Sequence, residues 1–310
     1  MYKGLSIAAV VPAHNEEELI VKTVGSMPPL VDRVIVVDDA STDATAEQAL
    51  ATADPRLELV RHERNMGVGG AIVSGHRRAI ELEADVAVVM AGDAQMDPAY
   101  LPDLLDPIAD EGYAFTKADR FFGFDSFAGM PRHRIVGNVV VGFLAKASTG
   151  YWNLFDPLNG YTATRTDTLA RLPLERIRTD YAFECDILVY LNTIRARAMD
   201  VPIPAVYGDE RSGIKLFRDA GKLLWSLFRG FWRRIVWKYV LWSFSPVAIF
   251  LFAGLALVAW AVGFGAWVVY ETVGDPVAST ATVLMSVGPL LVGINLLIVA
   301  TVLDILETPR

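Results

Sequence analysis

The chain has 310 residues, 53% of them apolar, a mean hydropathy of +0.35 and a formal net charge of −8. The length leaves room for more than one unit, the apolar surplus exceeds what a wholly soluble protein needs, and the acidic balance argues against nucleic acid as a partner. A single cysteine, Cys185, excludes an internal disulfide and fits a reducing compartment.

The N-terminal stretch MYKGLSIAAVVPAHNEE has too short an apolar core, and no small-residue cleavage site, for a signal peptide. Short β-branched runs then alternate with helical patterns. Strands are predicted at Ser6 to Val11, Arg33 to Val37, Leu57 to Arg61, Val86 to Met90 and Tyr113 to Lys117, with helices at Glu17 to Ser26, Thr42 to Thr52, Val68 to Leu82 and Ala99 to Asp110. This alternation predicts a mostly parallel sheet with helices on both faces. Residues Arg120 to Gly160 read as an irregular segment leading into a helix around Arg134 to Lys146. A strand near Gly160 to Thr164 and a helix from Ala182 to Arg195 complete the globular part.

Beyond it, Leu216 to Trp237 carries basic or polar residues at helical spacing with Trp225, Trp232 and Trp237 between them, the pattern of an interfacial amphipathic helix. No charge occurs from Tyr239 to Tyr270, nor from Pro276 to Leu303, and each run exceeds the roughly 20 apolar residues that cross a hydrocarbon core. Three segments follow: a globular domain over 1–213, a juxtamembrane helix over 214–238 and a membrane hairpin over 239–310, with spans near 245–270 and 279–303. Arg218, Lys222, Arg229, Arg233, Arg234 and Lys238 precede the first span, while the link carries Glu271 and Asp275, so the large N-terminal part is expected in the cytoplasm at the cell membrane. Gly263, Gly265, Gly288 and Gly293 permit close helix packing, and self-association, or pairing with another small membrane protein, is expected.

Ligands of open α/β sheets lie beyond the carboxyl ends of the strands. Four polar turns fall there: PAHNEE, DDASTD, RNMGVGG and GDAQMDP. In the last, an apolar strand runs into Asp93, Gln95 and Asp97, oxygen ligands that suit a hard cation and a phosphate. Asp97 also reads as a cap for the helix after Pro98. Asp38 and Asp39 can accept from ribose hydroxyls or a base edge, while Ser41, Thr42 and Asp43 fit a helix cap equally well. Arg64, Asn65, Gly67, Gly69 and Gly70 precede a helix whose amides suit an anion. His14, His62, His76 and His133 lack metal-ligand spacing.

VPAHNEE, VVDDASTDAT, RNMGVGGA, GDAQMDP, DPLNGYTA and SGIKL occur in an order that resembles the family 2 glycosyltransferases of GT-A fold, and within them the polyprenyl-phosphate glycosyltransferases. The resemblance implies that Pro12, Ala13, Glu16 and Asp39 hold the nucleoside of a nucleotide-diphosphate sugar. Asp93 and Gln95 would hold Mg²⁺ or Mn²⁺ and the donor diphosphate, Arg120 and Arg134 would grip the phosphate of a polyprenyl lipid, and Arg211 with Lys215 would close over the donor. The chain departs from many relatives at Ala91 and Gly92, where they carry Asp-Ala ahead of the aspartate matched by Asp93. The implied reaction moves a hexose to undecaprenyl or dolichyl phosphate with inversion. Two alternatives stand beside it: transfer to a saccharide or lipid hydroxyl, with Glu184 or Asp186 as base, although a helix-surface or capping role is expected for that segment, and a non-catalytic component that binds nucleotide sugars.

Overall fold

The structure, a computed structural model, describes residues 1–122, 132–156, 159–180, 182–204, 216–273 and 278–309, and the side chains of all of these except 132–134 and 216–220. The chain divides into two compact units, Met1–Phe231 and Trp232–Thr308, with the boundary inside a helix.

The first unit is built on a seven-stranded sheet: β1 (Ile7–Ala13), β2 (Arg33–Asp38), β3 (Leu57–Arg61), β4 (Val86–Val89), β5 (Phe115–Asp119), β6 (Thr162–Arg165) and β7 (Ala198–Pro202), in the order β3-β2-β1-β4-β6-β5-β7. The pairs β1–β2, β1–β4, β2–β3 and β5–β7 are parallel, while β6 runs antiparallel between β4 and β5. Two reversals at β6 restore the original direction, so β5 ends at the same edge as β1, β2 and β4. Helices α1 (Ile20–Gly25), α2 (Thr45–Ala51), α3 (Val68–Glu81), α4 (Leu101–Glu111), α5 (Arg132–Thr149), α6 (Thr166–Leu169), α7 (Phe183–Thr193) and α8 (Leu216–Arg234) complete it.

Side chains of a strand alternate between the faces of the sheet. Ala8, Val10, Ile35, Val37, Ala87 and Val89 join Ile72 of α3 and Phe183, Ile187 and Leu188 of α7 in one core. Ile7, Ala9, Val11, Val34, Val36, Val86 and Val88 join Ile20 of α1 and Leu101, Leu104, Leu105 and Ile108 of α4 in the other. Both faces are dry, which is why these strands read as unbroken apolar runs.

Helix α1 begins three residues later than expected. Asn15 takes a left-handed φ of 58°, and the amides of Glu16 and Glu17 donate to Thr45 Oγ1 (2.8 Å) and Asp43 Oδ2 (3.2 Å), so the chain is held as a loop until Ile20. Strand β7 was not expected, since AMDVP has neither alternation nor a β-branched run. Its partner β5 supplies the register, with Phe115 opposite Ala198 and Asp119 opposite Pro202.

The second unit holds a π-helical turn (Ile235–Leu241) and two helices, α9 (Pro246–Thr272) and α10 (Thr280–Leu306), which contain the expected spans. At 27 residues each they are about 40 Å long, enough to cross a hydrocarbon core of about 30 Å. Gly254 and Gly293 let them touch: a Cβ on Gly254 would sit 2.9 Å from Gly293 O, and one on Gly293 would sit 2.9 Å from Val258 Cγ2. Gly293 therefore serves contact within the hairpin, whereas Gly263 and Gly288 face open space. Arg234 donates to both oxygens of Asp304 (2.5 and 3.0 Å), and Tyr239 OH donates to the same carboxylate (2.6 Å), binding the π-helical turn to the end of α10.

Candidate active site

Three loops at the carboxyl edge of the sheet each contain a non-glycine residue in the left-handed region: Asn15 (φ 58°) after β1, Ala40 (φ 56°) after β2 and Ala94 (φ 55°) after β4. Such residues cost free energy and persist where the surroundings over-determine them. By contrast, Ala53, Glu83 and Arg195 directly follow helix ends, where this conformation is common.

The first two loops are stitched together. Asn15 N donates to Ser41 Oγ (3.0 Å), Asn15 Oδ1 accepts from Thr42 N (2.9 Å), Glu17 Oε2 accepts from Ala44 N (3.0 Å) and Asp39 N donates to Ala13 O (2.9 Å). Pro12, Ala13 and Glu16 thus lie beside the loop after β2 on a framework that leaves little backbone freedom. Asp43 supports the first turn of α2 by accepting from Thr45 N (3.0 Å), the helix-end role its residue type allowed. Its carboxyl is held below the usual range by hydrogen bonds from Thr45 and Glu17, which outweigh a larger single effect of burial in the other direction.

Asp39 is almost fully buried. Its Oδ1 accepts from Met66 N (2.8 Å) and meets His62 Nδ1 (2.7 Å), its Oδ2 accepts from Gly67 N (2.8 Å), and His62 Nε2 reaches Ser74 Oγ (2.9 Å). Gly69 N donates to Thr179 O (3.0 Å). The amides of Met66, Gly67 and Gly69, in the stretch expected to cradle an anion, are therefore engaged within the chain, and the carboxylate beside Gly67 is that of Asp39. Any donor group reaching Asp39 shares a carboxylate that already anchors this loop.

The β4 loop holds the expected phosphate and cation side chains. Asp93 Oδ1 accepts from Gln95 N (3.0 Å), and its Oδ2 has no partner among the described residues. Both residues are half-buried. Asp97 caps the following turn by accepting from Ala99 N (2.9 Å), as its position before Pro98 predicted. Gly92 packs against the first loop, where an added Cβ would come 3.2 Å from Ala13 Cβ and 3.2 Å from Pro12 O. Among the described residues no cluster of three or more His, Cys, Asp or Glu side chains could hold a metal. Asp93 and Gln95 still fit a cation of Mg²⁺ type, which takes one or two carboxylates and completes its shell with water and substrate phosphates.

Arg120 follows β5 at this same edge. Its Nε and one terminal nitrogen grip the two oxygens of Asp156 (2.7 and 3.1 Å), while the side chain remains 39% exposed. Asp156 is itself buried, and its carbonyl accepts from Lys117 Nζ; Lys117 also pairs with Asp200 (3.1 Å). Burial and the nearby Asp200 push the Asp119 carboxyl above the ordinary range, and burial pulls the Lys146 ammonium below its own. Asp156 lies in the DPLNGYTA string, but nothing local marks it as the partner of a residue 36 positions earlier. Arg134 lies in α5 with its side chain outside the described residues; Arg211 and Lys215 lie outside them altogether.

Glu184 does not take the surface or capping role expected of it. It lines a pocket with His76, Lys117, Asn159 and Gly160, walled by Ile72, Phe115, Phe183 and Leu188, and burial pushes its carboxyl up to about 7. A Cβ on Gly160 would lie 3.9 Å from Glu184 Oε1 and 3.6 Å from Met96 Cε, which puts the carboxyl near the β4 loop. Asp186 faces inward as well, accepting from Arg178 N (3.0 Å).

Residues 8–172 match the family model "Glycosyl transferase family 2". Similar curated proteins include the UDP-N-acetylglucosamine–dolichyl-phosphate N-acetylglucosaminyltransferase of Methanococcus voltae, 28% identical over 65% of this chain and 86% of that protein. The undecaprenyl-phosphate mannosyltransferase of Micrococcus luteus is 30% identical over 65% of this chain and 84% of its own length. The glycosyltransferase AglJ of Haloferax volcanii is 26% identical over 97% of this chain and 93% of that protein. Among solved structures, glucosyl-3-phosphoglycerate synthase from Mycobacterium tuberculosis, in complex with Mn²⁺ and UDP, shares the fold with a TM-score of 0.56 at 23% identity, covering 74% of this chain and 80% of that one. The sheet with its β6 reversal, the loops gathered at one edge and these matches agree: the chain is a glycosyltransferase of GT-A fold and belongs to glycosyl transferase family 2, in its polyprenyl-phosphate branch.

Proposed function

We propose that the protein transfers a hexose from a nucleotide-diphosphate sugar to a polyprenyl phosphate at the cytoplasmic face of the membrane, with inversion at the anomeric carbon. The observation that carries the phosphate acceptor is Arg120. A guanidinium fixed by two hydrogen bonds to buried Asp156, yet 39% exposed at the edge that bears Asp93, is a preset fork for an incoming phosphate. The names of the relatives above and the two membrane-length helices support a lipid carrier for that phosphate.

In this reading, one oxygen of the lipid phosphate attacks the anomeric carbon while the bond from that carbon to the nucleoside diphosphate breaks. A phosphate monoester loses its second proton near pH 6, so the nucleophile is already an anion and no strong base is needed. Arg120, assisted by Arg134, holds it in line. Pro12, Ala13, Glu16 and Asp39 seat the nucleoside, and Arg211 with Lys215 covers the diphosphate. Mg²⁺ or Mn²⁺ held by Asp93 and Gln95 would offset charge on the leaving diphosphate.

A second reading is favoured by one observation: a carboxyl at about 7 is suited to general-base work, so Glu184 could activate a hydroxyl acceptor. A donor screen that measures nucleoside diphosphate release with undecaprenyl or dolichyl phosphate separates the two. Release that requires the lipid phosphate, with Glu184→Gln retaining near-normal turnover, supports the first reading. Release that requires a hydroxyl acceptor and collapses in Glu184→Gln replaces it with the second.

A further inference from the structure

Helix α10 has two faces, and the hairpin uses one of them. Ser286 Oγ donates to Ala261 O (3.0 Å), Gly293 lies against Val258 of α9, and Ala300 is buried, so small residues seven apart mark the side that meets α9. Successive helical residues are turned by about 100°, so residues two positions further on point about 200° away. Those residues are Gly288, Asn295 and Val302. With Leu284, Leu291 and Ile298 they form a seam at alternating spacings of four and three, the repeat of a coiled coil. Leu284, Leu291, Ile298 and Val302 are 61%, 58%, 56% and 48% exposed, Asn295 is exposed as well, and a Cβ on Gly288 would meet no atom within 4 Å. The described residues leave this seam uncovered.

Apolar side chains on such a seam suit lipid as well as protein, but a carboxamide does not. Asn295 comes 15 residues after Thr280, about 22 Å along a helix of about 40 Å, which puts it near mid-bilayer once the hairpin spans a membrane. Its Nδ2 donates to Leu291 O (2.8 Å), while its Oδ1 and its second N–H have no partner among the described residues. Water is not available at that depth, so the partner has to come from protein. A carboxamide is both donor and acceptor, and another carboxamide complements it. A second copy of the chain supplies one in register, because copies that insert with one topology place their α10 helices parallel, with Asn295 facing Asn295. A single asparagine at an a position, in a seam with leucine at d positions, fixes register and oligomer state, and Gly288 one heptad earlier permits close approach.

We infer that the outer seam of α10 is a self-association surface, through which two copies of the chain pair in the membrane with each Asn295 carboxamide hydrogen-bonded to the other. The inference needs the hairpin to span a membrane, in either orientation, and it does not depend on the donor or acceptor proposed above. It assigns the glycines separate roles: Gly265 and Gly293 serve contact within the hairpin, and Gly288 serves contact between copies. A pair of this kind anchors two catalytic units on the same side of the membrane.

Cysteine variants of the full chain, reconstituted in phosphatidylglycerol–phosphatidylethanolamine vesicles and oxidised with copper–phenanthroline, test this without reference to activity. Cys185 is buried, so the unsubstituted chain is the blank, and Leu50→Cys, exposed on α2, reports random collision. Leu291→Cys and Ile298→Cys should form covalent dimers. Val292→Cys and Ile294→Cys, 53% and 44% exposed but off the seam, should stay at the Leu50→Cys background. Added to Leu291→Cys at a fixed protein-to-lipid ratio, Asn295→Val should slow cross-linking about tenfold, while Asn295→Gln, which keeps the carboxamide, should restore most of the rate. Positions 291 and 298 lie on separate turns, so poor folding of one variant leaves the other to decide. Equal yields on and off the seam overturn the inference, and so does cross-linking that Asn295→Val leaves unchanged.

Discussion

At Asp39 one carboxylate organises two loops, and its substitution separates structural from ligand roles. Asp39→Ala leaves the amides of Met66 and Gly67 and the ring of His62 without their acceptor. A buried donor left unpaired costs about 1–3 kcal/mol, so this variant should lose on the order of 3 kcal/mol in thermal unfolding of the detergent-solubilised protein, and Asp39→Asn about half as much. A raised donor KM with unchanged thermal stability would instead make Asp39 a ligand group alone. Glu184 and His76 face the same pocket and act on stability with opposite sign. The Glu184 carboxyl is raised by burial to about 7, so its contribution is fully present below its unfolded value of 4.5 and is lost as pH rises through 7. Buried His76 is lowered to about 4, so its contribution is present above 6.5 and lost as pH falls through 4. Glu184→Gln should match the parent melting temperature near pH 4 and exceed it at pH 8. A constant difference across that range would mean that Glu184 does not titrate there. Asp93 and Gln95 stand out in the sequence because they follow the apolar strand β4, and Arg120 because the resemblance marks an arginine after the fifth strand. Asp156, Lys117 and Asp200 were not, since their ion pairs join residues far apart in the chain and depend on how β5 and β7 align.

At the scale of elements, α3 packs on β1 through a glycine. A Cβ at Gly75 would lie 2.1 Å from Val10 Cγ1, well inside contact distance, and Val10 is itself fully buried. Alanine in place of a helical glycine gains about 1 kcal/mol of helix propensity. Overpacking a core costs about 1–3 kcal/mol, and a clash this close belongs at the upper end, so the steric effect wins. Gly75→Ala should lower the melting temperature, and the Gly75→Ala, Val10→Ala double variant should fall less than the sum of its parts. An additive pair would show that the helix simply shifts away. The parallel strands β1, β2 and β4 were readable because both faces of the sheet are covered there and their centres are apolar runs, and the edge strand β3 because Leu57, Leu59 and Val60 stand beside the charged Glu58 and Arg61. β7 was not, because its identity as a strand comes from pairing with β5 rather than from its own residues. Glu184 was misread for a related reason: the sequence places it near a helix start, and only the packing of α7 against the sheet turns its carboxyl inward.

At the scale of the whole molecule, the orientation expected from basic residues needs revision in its reasoning. Of the six that precede the first span, Arg234 and Lys238 are buried in the second unit, where Arg234 pairs with Asp304 and Lys238 reaches Glu307 O at 3.5 Å. Arg218, Lys222, Arg229 and Arg233 are the basic residues before the first span that stand outside these contacts, and the positive-inside rule favours the cytoplasm for the side that carries them. The link between α9 and α10 has Glu271 and Asp275 and no basic residue, so the bias still favours sending it outward. Ser279, the cap of α10, stands at the end of α10 that follows the link and is exposed. In intact cells Ser279→Cys should react with a membrane-impermeant maleimide, while the Leu50→Cys variant should react only after the membrane is opened. Labelling of Leu50→Cys in intact cells, with Ser279→Cys protected, would invert the topology and remove the catalytic unit from cytoplasmic nucleotide sugars. Because the two reporters sit on opposite predicted sides, leakage labels both, inversion exchanges them, and only the proposed orientation gives the first pattern.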